Sequence, residues 1–193
     1  MKSLFDTEKE LQSSKDWTGF LKIYDKYFQD FKDKEINILE IGVAEGKSLN
    51  LWRNFFSKAK ICGIDIQKMN FNIDGVELIT ADQTDIQSLK KICDKYKSFD
   101  IIIDDGCHIS KNVIISFNFL FDYLNHDGLY VIEDLNTSYL PNFGGSRINL
   151  LKRKTSMNYL KSLTDSINYE KNDKPFYSRK KFDGMIKYIH FYQ

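Results

Sequence analysis

Two pairs of carboxylates and one histidine carry the strongest chemical signal in this sequence. Asp104-Asp105-Gly106-Cys107-His108 follows the apolar run 99–103, and Glu133-Asp134 follows the apolar run 129–132. Paired carboxylates with an open position are hard oxygen donors, suited to Mg2+ or Mn2+ rather than Zn2+. His108 stands three residues beyond Asp105 and is a base of the type that titrates near neutral pH. A lone aspartate at a strand end is commonly a helix cap. Two acidic pairs and a histidine on neighbouring ends outrun that explanation. Cys107 beside His108 makes a poor Cys/His nucleophile, because adjacent side chains rarely point at each other and no acyl-transfer signature accompanies them.

A second signal lies upstream, in Ile38-Leu39-Glu40-Ile41-Gly42-Val43-Ala44-Glu45-Gly46-Lys47-Ser48. It reads as a strand, a glycine turn and a helix start, with Gly42 allowing a tight turn and close approach to a ligand. The spacing is not the dinucleotide G-x-G-x-x-G. It also misses the phosphate-binding P-loop, since only Val43, Ala44 and Glu45 separate Gly42 from Gly46-Lys47-Ser48 where four residues are needed. Asp65 falls 23 residues past Gly42, about where a ribose-binding acid belongs. With Asp82 on the next strand end, a nucleoside ligand is the expectation.

These residues need a scaffold that gathers them. The sequence supplies short apolar strands at 36–41, 61–64, 76–80, 99–103 and 129–132, alternating with helical segments at 47–56, 85–96 and 111–124. That alternation indicates βαβ units and a parallel sheet. Strand after strand finishes at or near a carboxylate: Glu40, Asp65, Asp82, Asp104 and Asp105, then Glu133 and Asp134. In an open α/β sheet the carboxyl ends share one edge, and ligands bind in the crevice there. Seven carboxylates on one edge need hydroxyls, ammonium groups or a metal ion to offset their repulsion. An amphipathic helix over 16–31, with Phe20, Ile23, Tyr24, Tyr27, Phe28 and Phe31 on one stripe, precedes the first strand. Residues 125–128 read as a turn with His126 solvated, and His190 as a strand residue. Both prolines, Pro141 and Pro175, are read as lying in loops.

Length and composition bound the rest. At 193 residues with 42% apolar and 15% aromatic content, the chain suits one α/β domain with a sizeable core. No apolar run approaches a membrane span, and the N-terminus lacks a signal-peptide pattern. Three unclustered cysteines suit a reducing cytoplasm. The 28 basic and 27 acidic side chains leave a formal +1, which argues against nucleic acid as a partner. Within that balance, residues 151–193 carry ten Lys/Arg against four Asp/Glu, read as a solvated basic face.

Leu39-Glu40-Ile41-Gly42 with Gly63-Ile64-Asp65 and Ala81-Asp82 resembles the class I S-adenosylmethionine-dependent methyltransferases. DDGCH, SFNFLFDYL, GLYVIEDLNTSYLPNFGG and the late IHFY resemble, more narrowly, the metal-dependent sugar O-methyltransferases of the demethylmacrocin and mycinamicin type. The likeness runs from about Ser13 to Tyr192. It implies a Rossmann-like sheet with helices on both faces. The family continues into a further antiparallel strand beyond the HFY segment, so a missing C-terminal edge strand is expected here. The implied layout is N-terminal helices over 1–33, a cofactor and metal core over 34–135, and a substrate loop, basic helix and last strand over 136–193.

By position, the resemblance implies a divalent ion at Asp105, Glu133 and Asp134, and His108 as general base. Glu40 and Gly42 fall to the methionine part of the cofactor, Asp65 to the ribose, Asp82 to the neighbourhood of the adenine, and Asp104 joins the cofactor-binding set. The implied chemistry is coherent. A metal chelated by two neighbouring sugar hydroxyls lowers the pKa of one of them. His108 removes that proton, and the alkoxide attacks the sulfonium methyl in line. The expected partners are a small-molecule or glycan acceptor and a second copy of the chain. A catechol-like small-molecule acceptor, or a non-catalytic protein of the same fold, are the alternatives.

Overall fold

Near-continuous apolar runs on short strands require a sheet that is covered on both sides. The strands are β1 (Asn37–Ile41), β2 (Lys60–Asp65), β3 (Val76–Thr80), β4 (Phe99–Asp104) and β5 (Leu124–Ile132). They pair in parallel in the order β3-β2-β1-β4-β5. The helices are α1 (Leu4–Leu11), α2 (Phe20–Phe28), α3 (Lys47–Phe55), α4 (Ile86–Tyr96), α5 (Ser110–Leu120), α6 (Ser156–Ser162) and α7 (Thr164–Ile167). This computed structural model describes residues 3–11, 19–146, 154–171 and 178–192.

The pleat divides the sheet residues cleanly between its two faces. Ile38, Ile61, Ile101 and Ile103 pack against Leu4, Leu21, Tyr24, Phe28 and Trp52 from α1, α2 and α3. Leu39, Ile41, Cys62, Ile64 and Ile102 pack against Leu89, Ile92, Cys93 and Leu120 from α4 and α5. Beyond α5, a third cluster joins Phe117 to Leu160, Leu163 and Phe182, fastening α6 and the segment after it to the β5 side. Helices on both faces and the parallel sheet match the expectation. Strand order reverses between β1 and β4, the place where ligands bind in open α/β sheets.

The differences are local and have physical causes. The third helix of the βαβ series, α5, stops at Leu120, and residues Phe121–Tyr123 tighten into a 3-10 turn. The expected turn at 125–128 lies inside β5 as an irregularity: Phe99 pairs with Leu124, but Ile101 pairs with Leu129. Asp127 adopts φ 64 there, so the turn residues do turn, while the chain resumes the same strand on either side. His126 is solvated, as expected, with 84% of its side chain exposed. His190 is in no strand; its imidazole bonds the Tyr27 hydroxyl and stacks on Tyr188 at 4.9 Å. The helix expected over 16–31 begins at Phe20 after Gly19, whose φ is 72; residues 16–18 lie outside the described residues, as does Pro175. Pro141 opens a 3-10 turn. Among the described residues, no helix is long and apolar enough to cross a membrane.

Candidate active site

The strand-end acids take different directions because successive residues of a strand face opposite sides. Asp104, in phase with Ile102, turns toward α5. It is fully buried and accepts from the Ser116 hydroxyl at 2.7 Å and the Gln83 carboxamide at 3.3 and 3.4 Å. Burial pushes its carboxyl up to about 6, although Ser116, the Gly106 N–H, Gln83 and His108 all favour the charged form. Asp105 is in phase with Ile103 and takes the other side. Its N–H donates to the Ile41 carbonyl at 2.9 Å, extending the pairing of β4 with β1 by one step.

Asp105, His108 and Asp134 come together. One ligand atom from each lies within 4.8 Å of the others. His108 Nε2 is 3.9 Å from Asp105 Oδ1 and 3.7 Å from Asp134 Oδ2. His108 and Asp134 both adopt left-handed backbone, with φ 55 and 51. For non-glycine residues such conformations cost about 1–3 kcal/mol each and persist where surrounding structure enforces them. Thr137 supplies that structure. Its buried γ-hydroxyl donates to the Asp134 carbonyl at 2.7 Å and the His108 carbonyl at 3.2 Å. Beside it, the Ser138 hydroxyl meets Ser156 at 2.9 Å and accepts from the Met157 N–H at 3.1 Å. The loop after β5 is thereby pinned to the start of α6.

Glu133 lies outside that trio. It is buried, and one carboxylate oxygen accepts from the hydroxyl of Tyr24 on α2. Burial holds the Tyr24 phenol well above its ordinary pKa, and Glu133, then Glu40 and Asp105, add to the effect. The phenol is therefore a donor to Glu133 at any physiological pH. Glu40 itself is fully buried on the same face of β1.

The nucleoside side of the crevice is organised by Asp65. Burial alone would raise its pKa, but the N–H groups of Gln67, Ala44, Val43 and Ile66 outweigh burial and hold the carboxylate below its ordinary range. Its Oδ2 accepts from Val43 at 2.9 Å and Ala44 at 3.1 Å, so the end of β2 shapes the loop after β1. Gly42 has φ 85, and a Cβ there would stand 2.1 Å from the Asp105 carbonyl oxygen. Its absent side chain thus serves the crossing of two loops of the same chain, a closer constraint than the approach to a ligand anticipated from sequence. Asp82 bonds the Thr84 N–H at 2.7 Å and hydroxyl at 2.8 Å. Glu45 and Lys47 pair at the surface at 2.9 Å, so neither points into a phosphate cradle.

Three residues of the site escaped the sequence reading. Tyr24 was one of six residues on an apolar helical stripe. Gln83 carried no signal, yet it spans Asp104 and the Cys107 N–H, which it accepts at 3.0 Å. Thr137 sits in the segment read only as a substrate loop. Of the cysteines, Cys62 and Cys93 are buried and their thiols are pushed up to about 12. Cys107 accepts from Asn112 at 3.3 Å.

The donor set fits a hard divalent ion: carboxylate oxygens converge beside one imidazole. The same edge also presents an ionised aspartate at the end of β2, the acceptor that a ribose diol requires.

Comparison with known proteins gives a consistent result. A family model described as FtsJ-like methyltransferase matches residues 14–180. Mycinamicin VI 2''-O-methyltransferase of Micromonospora griseorubida is 37% identical over 182 residues, covering 88% of this chain and 46% of that protein. Demethylmacrocin O-methyltransferase of Streptomyces fradiae is 38% identical over 159 residues, covering 78% of this chain and 40% of that protein. The structure of the MycE methyltransferase from the mycinamycin biosynthetic pathway, in complex with Mg and SAH, superimposes with a TM-score of 0.91 at 35% identity, over 98% of this chain and 51% of that one. The chain spans about half the length of these relatives or less.

Proposed function

This chain belongs to the FtsJ-like methyltransferase family, and on that premise we propose that it transfers a methyl group from S-adenosylmethionine to a hydroxyl of a sugar-bearing small molecule, with Mg2+ or Mn2+ required. The convergence of His108 on Asp105 and Asp134 carries this reading. Relatives named as sugar O-methyltransferases, and a similar structure holding Mg and SAH, support it.

In this reading Asp105, Glu133 and Asp134 hold the ion, which when bound makes a chelated hydroxyl more acidic. S-adenosylmethionine supplies the electrophilic methyl. Asp65 accepts from the ribose hydroxyls while its loop amides keep it ionised. Glu40 and Gly42 line the methionine side, and Asp82 the adenine side. Asp104 acts from beneath: through Gln83 it fixes the Gly106-Cys107 backbone from which His108 projects. His108 Nε2 takes the hydroxyl proton, a contribution of roughly 10²–10⁴-fold for a positioned base. The neighbouring Asp105 and Asp134 carboxylates then stabilise the imidazolium.

Two measurements test the proposal. Calorimetric titration with S-adenosylmethionine should give saturable one-site binding. A screen of deoxysugar-bearing acceptors and catechols, with Mg2+, should give turnover on the sugars that EDTA stops and Mg2+ restores. Turnover on catechols alone overturns the sugar assignment, and full activity in excess EDTA removes the metal.

A further inference from the structure

The ring of Tyr24 has an ordinary task. It packs against Phe28 at 4.8 Å and Trp52 at 5.1 Å between centroids, and phenylalanine would fill the same space. The hydroxyl is what needs a reason. It is carried by a residue only 3% exposed, on a helix 109 positions before its partner, and it reaches across the face of the sheet to a carboxylate oxygen of Glu133.

Glu133 has three side-chain torsions and stands next to Asp134, at the point where β5 ends and the backbone swings into left-handed conformation. A glutamate so placed has several rotamers open to it. Bringing it to one of them costs entropy unless a partner selects that rotamer beforehand. We propose that Tyr24 is a positioning residue of the metal site: its hydroxyl restricts the Glu133 carboxylate, which stands outside the Asp105–His108–Asp134 trio, to one rotamer, so that recruiting it to an ion held at that trio costs less entropy. This rests on the metal-dependent reading above. Helix α2, outside the βαβ core that carries the ligands, thereby becomes part of the site. Carboxylates that ligate metals are themselves hydrogen-bonded, and loss of such a partner typically weakens metal binding or activity 10–100-fold.

The test is Mn2+ binding by Tyr24→Phe, followed by electron paramagnetic resonance, with S-adenosylhomocysteine affinity by calorimetry and thermal unfolding as companions. The expected result is Mn2+ affinity about 10–100-fold weaker, with nucleoside affinity within about threefold of the parent. Because Tyr24 acts through Glu133, the combined Tyr24→Phe/Glu133→Gln protein should bind Mn2+ no worse than Glu133→Gln alone. In the unmutated chain the Tyr24 13Cζ resonance should shift on Mg2+ addition and stay still in Glu133→Gln, which reads the coupling without altering the tyrosine. Unchanged Mn2+ affinity in Tyr24→Phe, losses that multiply in the combined variant, or a Tyr24 resonance indifferent to Mg2+ would each overturn the inference while leaving the metal reading intact. A parent protein that binds no Mn2+ overturns both.

Discussion

His108 and Asp134 approach to 3.7 Å across the crevice, from two loops whose backbones are both left-handed at these residues. Neither conformation is intrinsic to the residue type, and one hydroxyl, that of Thr137, bonds both carbonyls. The proposed base and one proposed metal-binding acid are therefore held in register by a single side chain.

Removing that strap tests it. Thr137→Val keeps the shape and deletes the hydroxyl donor: the Asp134 carbonyl keeps the Thr137 N–H at 3.0 Å, while the His108 carbonyl loses its bond to the Thr137 hydroxyl. Stability should fall by about 1–3 kcal/mol, and turnover by about 10–100-fold, the range seen when outer-shell partners are lost. Thr137→Ser should recover most of both. Urea unfolding and steady-state kinetics of the pair decide; equal losses in the two variants would point to the methyl group instead.

His108→Asn removes the base while choosing a residue that tolerates φ near 55. Turnover should drop by roughly 10²–10⁴-fold, with affinity for S-adenosylhomocysteine nearly unchanged by calorimetry. Turnover close to that of the parent would sink the base assignment.

Gly42→Ala brings a Cβ to 2.1 Å from the Asp105 carbonyl at a φ of 85. Overpacking and left-handed strain together should cost about 2–5 kcal/mol. A melting temperature within a degree or two of the parent would show that the two loops can part without penalty.

Asp104 makes a pH prediction with a definite sign. Its carboxyl lies near 6 in the folded chain against an ordinary 3.8, so between those values the folded state binds more protons than the unfolded. Its contribution to stability is therefore greatest below about pH 4 and is lost as pH rises through 6, by up to about 3 kcal/mol. Asp104→Asn has no such titration, so its stability relative to the parent should rise between pH 4 and 6. Urea midpoints at four pH values measure this, and a difference that stays flat across that window would contradict it.

Much of the scaffold was legible because it depends on local chemistry. Near-continuous apolar runs at 38–41 and 101–103 mark strands buried on both faces, and the strand lengths set where each carboxylate falls. Asp65, Asp105, His108 and Asp134 could thus be placed on one edge from type and spacing alone. Where local signals competed, the reading slipped. The turn chemistry at 125–128 was right, yet β4 recaptured the chain on both sides and made it a bulge.

Sequence alone could not divide the labour among the acids. Asp104 and Asp105 are identical neighbours, and the pleat sends one to Ser116 beneath the sheet and the other toward His108. Glu133 and Asp134 part in the same way, one to Tyr24 and the other to the crevice. Tyr24, Gln83 and Thr137 gained their roles only when partners 109, 21 and 29 positions away were brought beside them. Residue type and spacing determine which chemistry the chain can carry. Which oxygen meets which donor is decided by packing, because hydrogen bonds act over about 3 Å between groups the sequence keeps far apart.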